Sequence, residues 1–123
     1  RLNVTHKVKV NYKIINDIKI NNNRSSFLFA ELMDFYSRTH KEVFEINESP
    51  LHDPCVIGYL IDETIFTGKF VNVVVEENSL LTRGETVTDW DNITDRKPNC
   101  YVMNEADSIK FFEILKDELS KLN

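Results

Sequence analysis

Residues 70–75 are apolar at every position except Asn72, with Lys69 before them and Glu76 and Glu77 after. A short valine-rich run bounded by polar residues predicts a buried strand. Glu77-Asn78-Ser79 predicts a turn, and residues 80–87 predict a returning strand, so the two form a hairpin. A polar loop carrying Trp90 follows over residues 89–98, then a short strand over 99–103. Residues 2–10 alternate loosely and are rich in valine, which predicts a strand. Asn11 suits the cap of a short helix running to Ile20. The polar run 21–26 predicts a loop, and residues 27–44 a long helix. Its apolar positions Phe27, Leu28, Phe29, Leu32, Phe35, Tyr36, Val43 and Phe44 follow helical spacing and are expected to face a core. Residues 45–51 read as a loop. Residues 54–61 read as a short helix, so nearly apolar that it is expected to be buried. The last helix, 106–122, carries Ile109, Phe112, Leu115, Leu119 and Leu122 on one face, widened by Phe111 and Ile114.

Strands alternating with helices, with a hairpin intruding, predict an α/β fold with an antiparallel part. No repeat or linker divides the 123 residues, and an apolar content of 41% suffices for one core. A net charge of −5 without a basic face argues against nucleic acid as a partner. No apolar run approaches the ~20 residues of a membrane helix, and no signal-like segment opens the chain. The chain begins at Arg1, its first methionine is Met33, and it opens straight into a strand pattern. These features suit a piece of a longer protein. Cys55 and Cys100 lack metal-site spacing; each reads as a buried free thiol, with a disulfide between them as the other option.

The chemistry concentrates at His52-Asp53-Pro54. Pro54 suits a first helical position, and Asp53 before it suits the cap. His52 is then the last loop residue. An imidazole beside a carboxylate offers a proton donor next to a hard-metal ligand. The plain alternative is a capped helix with a chance histidine. Asp89, Asp91 and Asp95 form a second acidic group, but no glycine provides the close turn a metal loop needs, so a polar loop is the better reading. Gly84 suggests a bulge or a close backbone approach, and Arg83 a structural ion pair. Thr5 and His6 fall near a strand end, with His6 read as a packed, hydrogen-bonded histidine.

Several stretches together resemble the nucleoside hydrolases, the calcium-dependent inosine-uridine preferring N-ribohydrolases. Asn3-Val4-Thr5-His6-Lys7-Val8 resembles that family's N/D-V-T-H-x-V segment, and the run from Ser49 to Leu60 its His-Asp-Pro segment. Asp62-Glu63-Thr64-Ile65-Phe66 is similar to D-P-E-L-F, with Glu63 in place of proline. Leu81-Thr82-Arg83-Gly84-Glu85-Thr86-Val87-Thr88-Asp89 is similar to L-T-R-G-x-T-V-x-D, and Pro98-Asn99 precedes the last strand. The likeness covers nearly the whole chain.

The resemblance implies part of an open Rossmann-like mixed sheet with flanking helices and a β-hairpin. The whole of 1–123 would be the C-terminal portion of one hydrolase domain. It implies a Ca²⁺-dependent N-glycosidase of purine and pyrimidine salvage, cytoplasmic and homo-oligomeric (dimer or tetramer), acting on ribonucleosides, with no nucleic-acid or membrane partner. Asp53 would ligate calcium and contact substrate. His52 would be catalytic, near the leaving base. Tyr36 and His40 match two substrate-binding positions on a mobile segment that closes over the base. The second of these is often tyrosine or glutamine, so His40 departs from the pattern. The family's acidic cluster of the form D-x-D-P-x-x-D-D is absent from the sequence, so this chain alone is expected to be inactive. The competing reading is a non-catalytic α/β binding or interaction module. A metal phosphohydrolase built on His52-Asp53 is weaker, because no further histidines and aspartates stand at helix spacing.

Overall fold

The computed structural model describes residues 2–45 and 48–123. In chain order the elements are α1 (Leu2–Thr5), β1 (Lys9–Val10), α2 (Tyr12–Lys19), α3 (Arg24–Phe44), β2 (Ser49–Pro50) and α4 (Asp53–Ile61). A 3-10 turn (Glu63–Ile65) leads into β3 (Phe66–Val75), followed by β4 (Thr86–Asp89), β5 (Cys100–Ala106) and α5 (Ser108–Ser120). The α/β class with a hairpin is as expected.

The opening strand is not. Its first part is helix α1, and only Lys9–Val10 pairs, antiparallel to Ser49–Pro50. Val4 and Val8 stand four apart, a spacing that fits one helical face as well as an alternating strand. The amides of Lys7 and Val8 bond to the carbonyls of Val4 and Thr5, and both valines are buried. Part of the loop expected over 45–51 lies outside the described residues; its end forms β2.

In the three-stranded sheet β3 is central, ordered β4-β3-β5, and both pairings are antiparallel. The first half of β3 pairs with β5 and the second with β4. The returning strand of the hairpin is shorter than its apolar pattern suggests. Glu76 accepts from the amides of Asn78 and Ser79, and the Ser79 hydroxyl from those of Leu81 and Thr82. These local bonds hold residues 77–83 out of the ladder, and Leu80 and Leu81 are exposed. Gly84 closes the turn at φ +90 with open space where a Cβ would lie, so it marks a turn and not a close approach. The close approach is at Gly68, beside a register shift, where a Cβ would fall 2.1 Å from the Val102 carbonyl oxygen. Among the described residues Arg83 makes no ion pair.

Asn11 caps α2, accepting from the Ile14 amide at 3.1 Å. Asn23 caps α3 three residues earlier than expected, accepting from the Ser26 amide at 2.8 Å. Its amide nitrogen donates to the Leu119 carbonyl at the other end of the chain, and Asn21 donates to Lys116. One asparagine thus closes the start of α3 and the end of α5. Asp62 caps the 3-10 turn and pairs with Lys110 of α5 at 2.6 Å. The Lys110 ammonium and the Thr64 hydroxyl hold its carboxyl down at about 2.

The core gathers Val8, Val10, Ile15, Ala30, Leu51, Ile65, Phe66 and Phe111. α3 reverses the expected orientation. Its buried stripe is Ser26, Ala30 and Ser37, with Met33 half-buried against the core. Leu28, Leu32 and Phe35 share the outward face, Phe35 at 67% exposure. Small residues at every fully buried position bring α3 close, and Phe27, Leu28, Leu32, Phe35 and Val43 are left exposed. α4 buries only Cys55 and Gly58, while Val56, Ile57, Leu60 and Ile61 are exposed. A Cβ at Gly58 would fall 2.7 Å from the Phe111 ring, so this glycine sets the close packing of α4 on α5. Phe111, not Ile109, anchors α5; Ile109 is 74% exposed.

Two exposed apolar helix faces of this kind exceed what a soluble monomer commonly shows. The isolated 123-residue chain is therefore expected to self-associate at micromolar concentration. Light scattering checks this, and a monodisperse monomer would contradict it.

Candidate active site

The segment carrying His52 is fixed from both sides. β1 and β2 pair with Lys9 opposite Pro50, and the Leu51 amide donates to the Val8 carbonyl at 2.9 Å. Leu51 is buried, which drives the chain into the core just before His52. His52 occupies the cap position of α4 in helical backbone geometry, and Asp53 is the first helical residue. That is one residue earlier than the sequence suggests. α4 has no side-chain cap, so the Asp53 carboxylate is not occupied in capping and stands exposed at the helix start. A carboxylate there is favoured by the helix dipole.

His52 has a partner from α1. The Thr5 hydroxyl oxygen lies 2.8 Å from His52 Nδ1. The next residue, His6, sets its ring 5.8 Å from the His52 ring, tilted by 47°. His6 is exposed, not packed as expected. Thr5 and His52 also line a cavity of about 470 Å³ between α4 and the three-stranded sheet, with Cys55, Tyr59, Phe66 and Tyr101 among its walls.

Tyr36 and His40 meet on one face of α3, their ring centroids 5.6 Å apart. The Tyr36 hydroxyl donates to the Pro50 carbonyl at 3.3 Å, two residues before His52. The structure thus brings Tyr36 to the segment that carries His52, with His40 beside Tyr36 on α3. Neither they nor Asp53 line the cavity.

Cys55 and Cys100 are both free; Cys55 is buried and Cys100 exposed, against the expectation of two buried thiols. The Cys55 thiol donates to the Leu51 carbonyl, and burial pushes its pKa to about 11, which keeps it protonated and inert. The Asp89 carboxylate accepts from the Ile93 and Thr94 amides and the Thr94 hydroxyl, which hold its pKa below the usual range. It closes a polar loop, as the sequence suggests. Among the described residues no three His, Cys, Asp or Glu side chains come together as a metal site.

Thr5 is the residue that sequence reasoning passed over. It was legible as part of Asn3-Val4-Thr5-His6, but nothing in a linear pattern joins it to a histidine 47 positions away.

Comparison with known proteins gives one family. Residues 1–113 match the model of the inosine-uridine preferring nucleoside hydrolases. The chain is 38% identical over 119 residues to the pyrimidine-specific ribonucleoside hydrolase RihA of Shigella boydii, covering 96% of this chain and 38% of the relative. RihA of Escherichia coli K12 is 37% identical over the same length and coverage. The fold matches a purine-preferring ribonucleoside hydrolase from Gardnerella vaginalis with a TM-score of 0.81 at 24% identity, over 98% of this chain and 38% of that one. A plant nucleoside hydrolase matches with a TM-score of 0.81 at 21% identity, over 97% and 39%. The chain therefore spans well under half the length of the relatives it matches.

Proposed function

Because this chain belongs to the inosine-uridine preferring nucleoside hydrolase family, we propose that it supplies the C-terminal portion of a ribonucleoside N-ribohydrolase. The complete enzyme splits the N-glycosidic bond of purine or pyrimidine ribonucleosides, giving ribose and free base for salvage in the cytoplasm. It works as a homo-oligomer. No helix among the described residues is long and apolar enough to cross a membrane.

The observation that carries this reading is the His52 imidazole. Thr5 occupies Nδ1 at 2.8 Å, which leaves Nε2 as the nitrogen that meets the substrate. Leaving bases depart poorly as anions, and a positioned acid typically contributes ~10²–10⁴-fold. An imidazole can carry a proton at either ring nitrogen and suits the task. His52 delivers the proton from Nε2 to the departing base. Tyr36, tied to the same segment through Pro50, and His40 beside it close over the base.

The cofactor of this reading is Ca²⁺, which takes ~6–8 oxygen ligands. An exposed carboxylate at a helix start, with no capping duty, fits it as one hard ligand; Asp53 is that group. When bound, the ion orients the ribose hydroxyls and lowers the pKa of a water. Among the described residues no three His, Cys, Asp or Glu side chains gather to complete the set. Asp53 would thereby also bear on the substrate, as a ligand of the ion that would orient the ribose.

The test is ribose release from inosine and uridine by the complete protein. Chelation of calcium is expected to abolish release, and added Ca²⁺ to restore it. Absence of release from any purine or pyrimidine ribonucleoside would overturn the reading in favour of a binding module.

A further inference from the structure

We infer that Thr5 is the positioning residue for His52, holding the imidazole by Nδ1 so that Nε2 alone serves the leaving base. The inference rests on the reading of His52 as the proton donor. It adds a residue from α1, far from His52 in sequence, to the machinery.

Three observations carry it. The Thr5 hydroxyl lies 2.8 Å from Nδ1, a full hydrogen bond. Thr5 is 9% exposed, so this bond faces little competition from water. The adjacent His6 ring stands 5.8 Å from the His52 ring, tilted by 47°. The Thr5 bond therefore sets the in-plane direction of the imidazole, with the next residue's ring beside it.

The choice of a hydroxyl matters. An imidazolium presents an N–H at both nitrogens, and the hydroxyl oxygen accepts from Nδ1–H. When the proton leaves Nε2, Nδ1 keeps its hydrogen and the same bond persists. If Nδ1 instead lacks its hydrogen, the hydroxyl rotates and donates. In each state Nδ1 is occupied and Nε2 is not. A carboxylate in this place would add a charge to the donor; threonine orients without one.

The experiment uses the complete protein with calcium. Thr5→Val removes the hydroxyl at nearly constant volume. It is expected to lower kcat on inosine by roughly 10-fold, the loss of one hydrogen bond in the reacting geometry, with KM changed by less than about 2-fold. Thr5→Ser keeps the hydroxyl and should recover most of that loss. p-Nitrophenyl riboside, whose phenolate leaves without a proton, should be hydrolysed at close to the parent rate. In a His52→Ala background Thr5→Val should add no further loss. Equal losses on both substrates, or the same loss without His52, would overturn the inference. If Thr5→Val does not fold, Thr5→Ala carries the same comparisons.

A second readout does not depend on catalysis. The ¹⁵N signals of the His52 ring should shift in Thr5→Val and return in Thr5→Ser. Unchanged signals in Thr5→Val overturn the positioning role. Unchanged turnover in His52→Ala, together with shifted His52 ring signals in Thr5→Val, would instead sink the proton-donor reading and leave the Thr5–His52 contact standing.

Discussion

Replacing Asp53 by alanine in the complete protein is expected to abolish calcium-dependent turnover, while replacing His52 by alanine leaves calcium affinity nearly intact. The two side chains are neighbours, but they enter the proposed reaction differently. Asp53 is exposed at the start of α4 with no capping role, and its removal takes an oxygen ligand from the ion that also orients the ribose. Substrate and metal binding should fall together. His52 is held through Nδ1 by Thr5 and delivers a proton. Its loss should lower kcat by roughly 10²–10⁴-fold on inosine and far less on p-nitrophenyl riboside. Calcium titration monitored by calorimetry, alongside steady-state kinetics on both substrates, separates the roles. Equal loss on the two substrates for His52→Ala would leave that residue as an orienting group only.

The second large effect concerns the 123-residue chain by itself. It should release no ribose from inosine or uridine, at any calcium concentration. Among its described residues no three metal-binding side chains converge, and one carboxylate cannot satisfy an ion that takes ~6–8 oxygens. Reducing-sugar assays on material of verified mass check this. Turnover by such a sample, free of longer species, would show that the ligand set is more local than proposed.

How much of this was legible in the sequence depends on the range of the interaction. Local chemistry was. Asn11 capped the helix it was expected to cap, and the polar loop after the hairpin was closed by one of its own aspartates. The His52-Asp53 pair stood where its motif put it, displaced by a single helical position. What failed was orientation and partnership. The spacing of Leu28, Leu32 and Phe35 shows that they share a face, but not which way the face points; the small residues Ser26, Ala30 and Ser37 took the inside. Val4 and Val8 fitted two periods at once, and local amide bonds chose the helix. Leu80 and Leu81 were apolar enough for a strand, yet the bonds accepted by Glu76 and Ser79 kept them in the turn. The Thr5–His52 contact spans 47 residues, and only folding brings it together.

The double role of Asn23 also bears on how the chain tolerates salt. Its side chain sits where the amide-rich start of α3 meets the carbonyl-rich end of α5, bonded to both. Helix ends carry opposite partial charges of about half a unit. They face each other across one neutral amide, and their attraction needs no ionised group. The exposed pairs elsewhere, such as Lys13 with Asp17 and Arg38 with Asp34, are weakened by salt. The contact between α3 and α5 through Asn23 uses no ionised group, so it is expected to weaken less with salt than those exposed pairs and not to change with protonation.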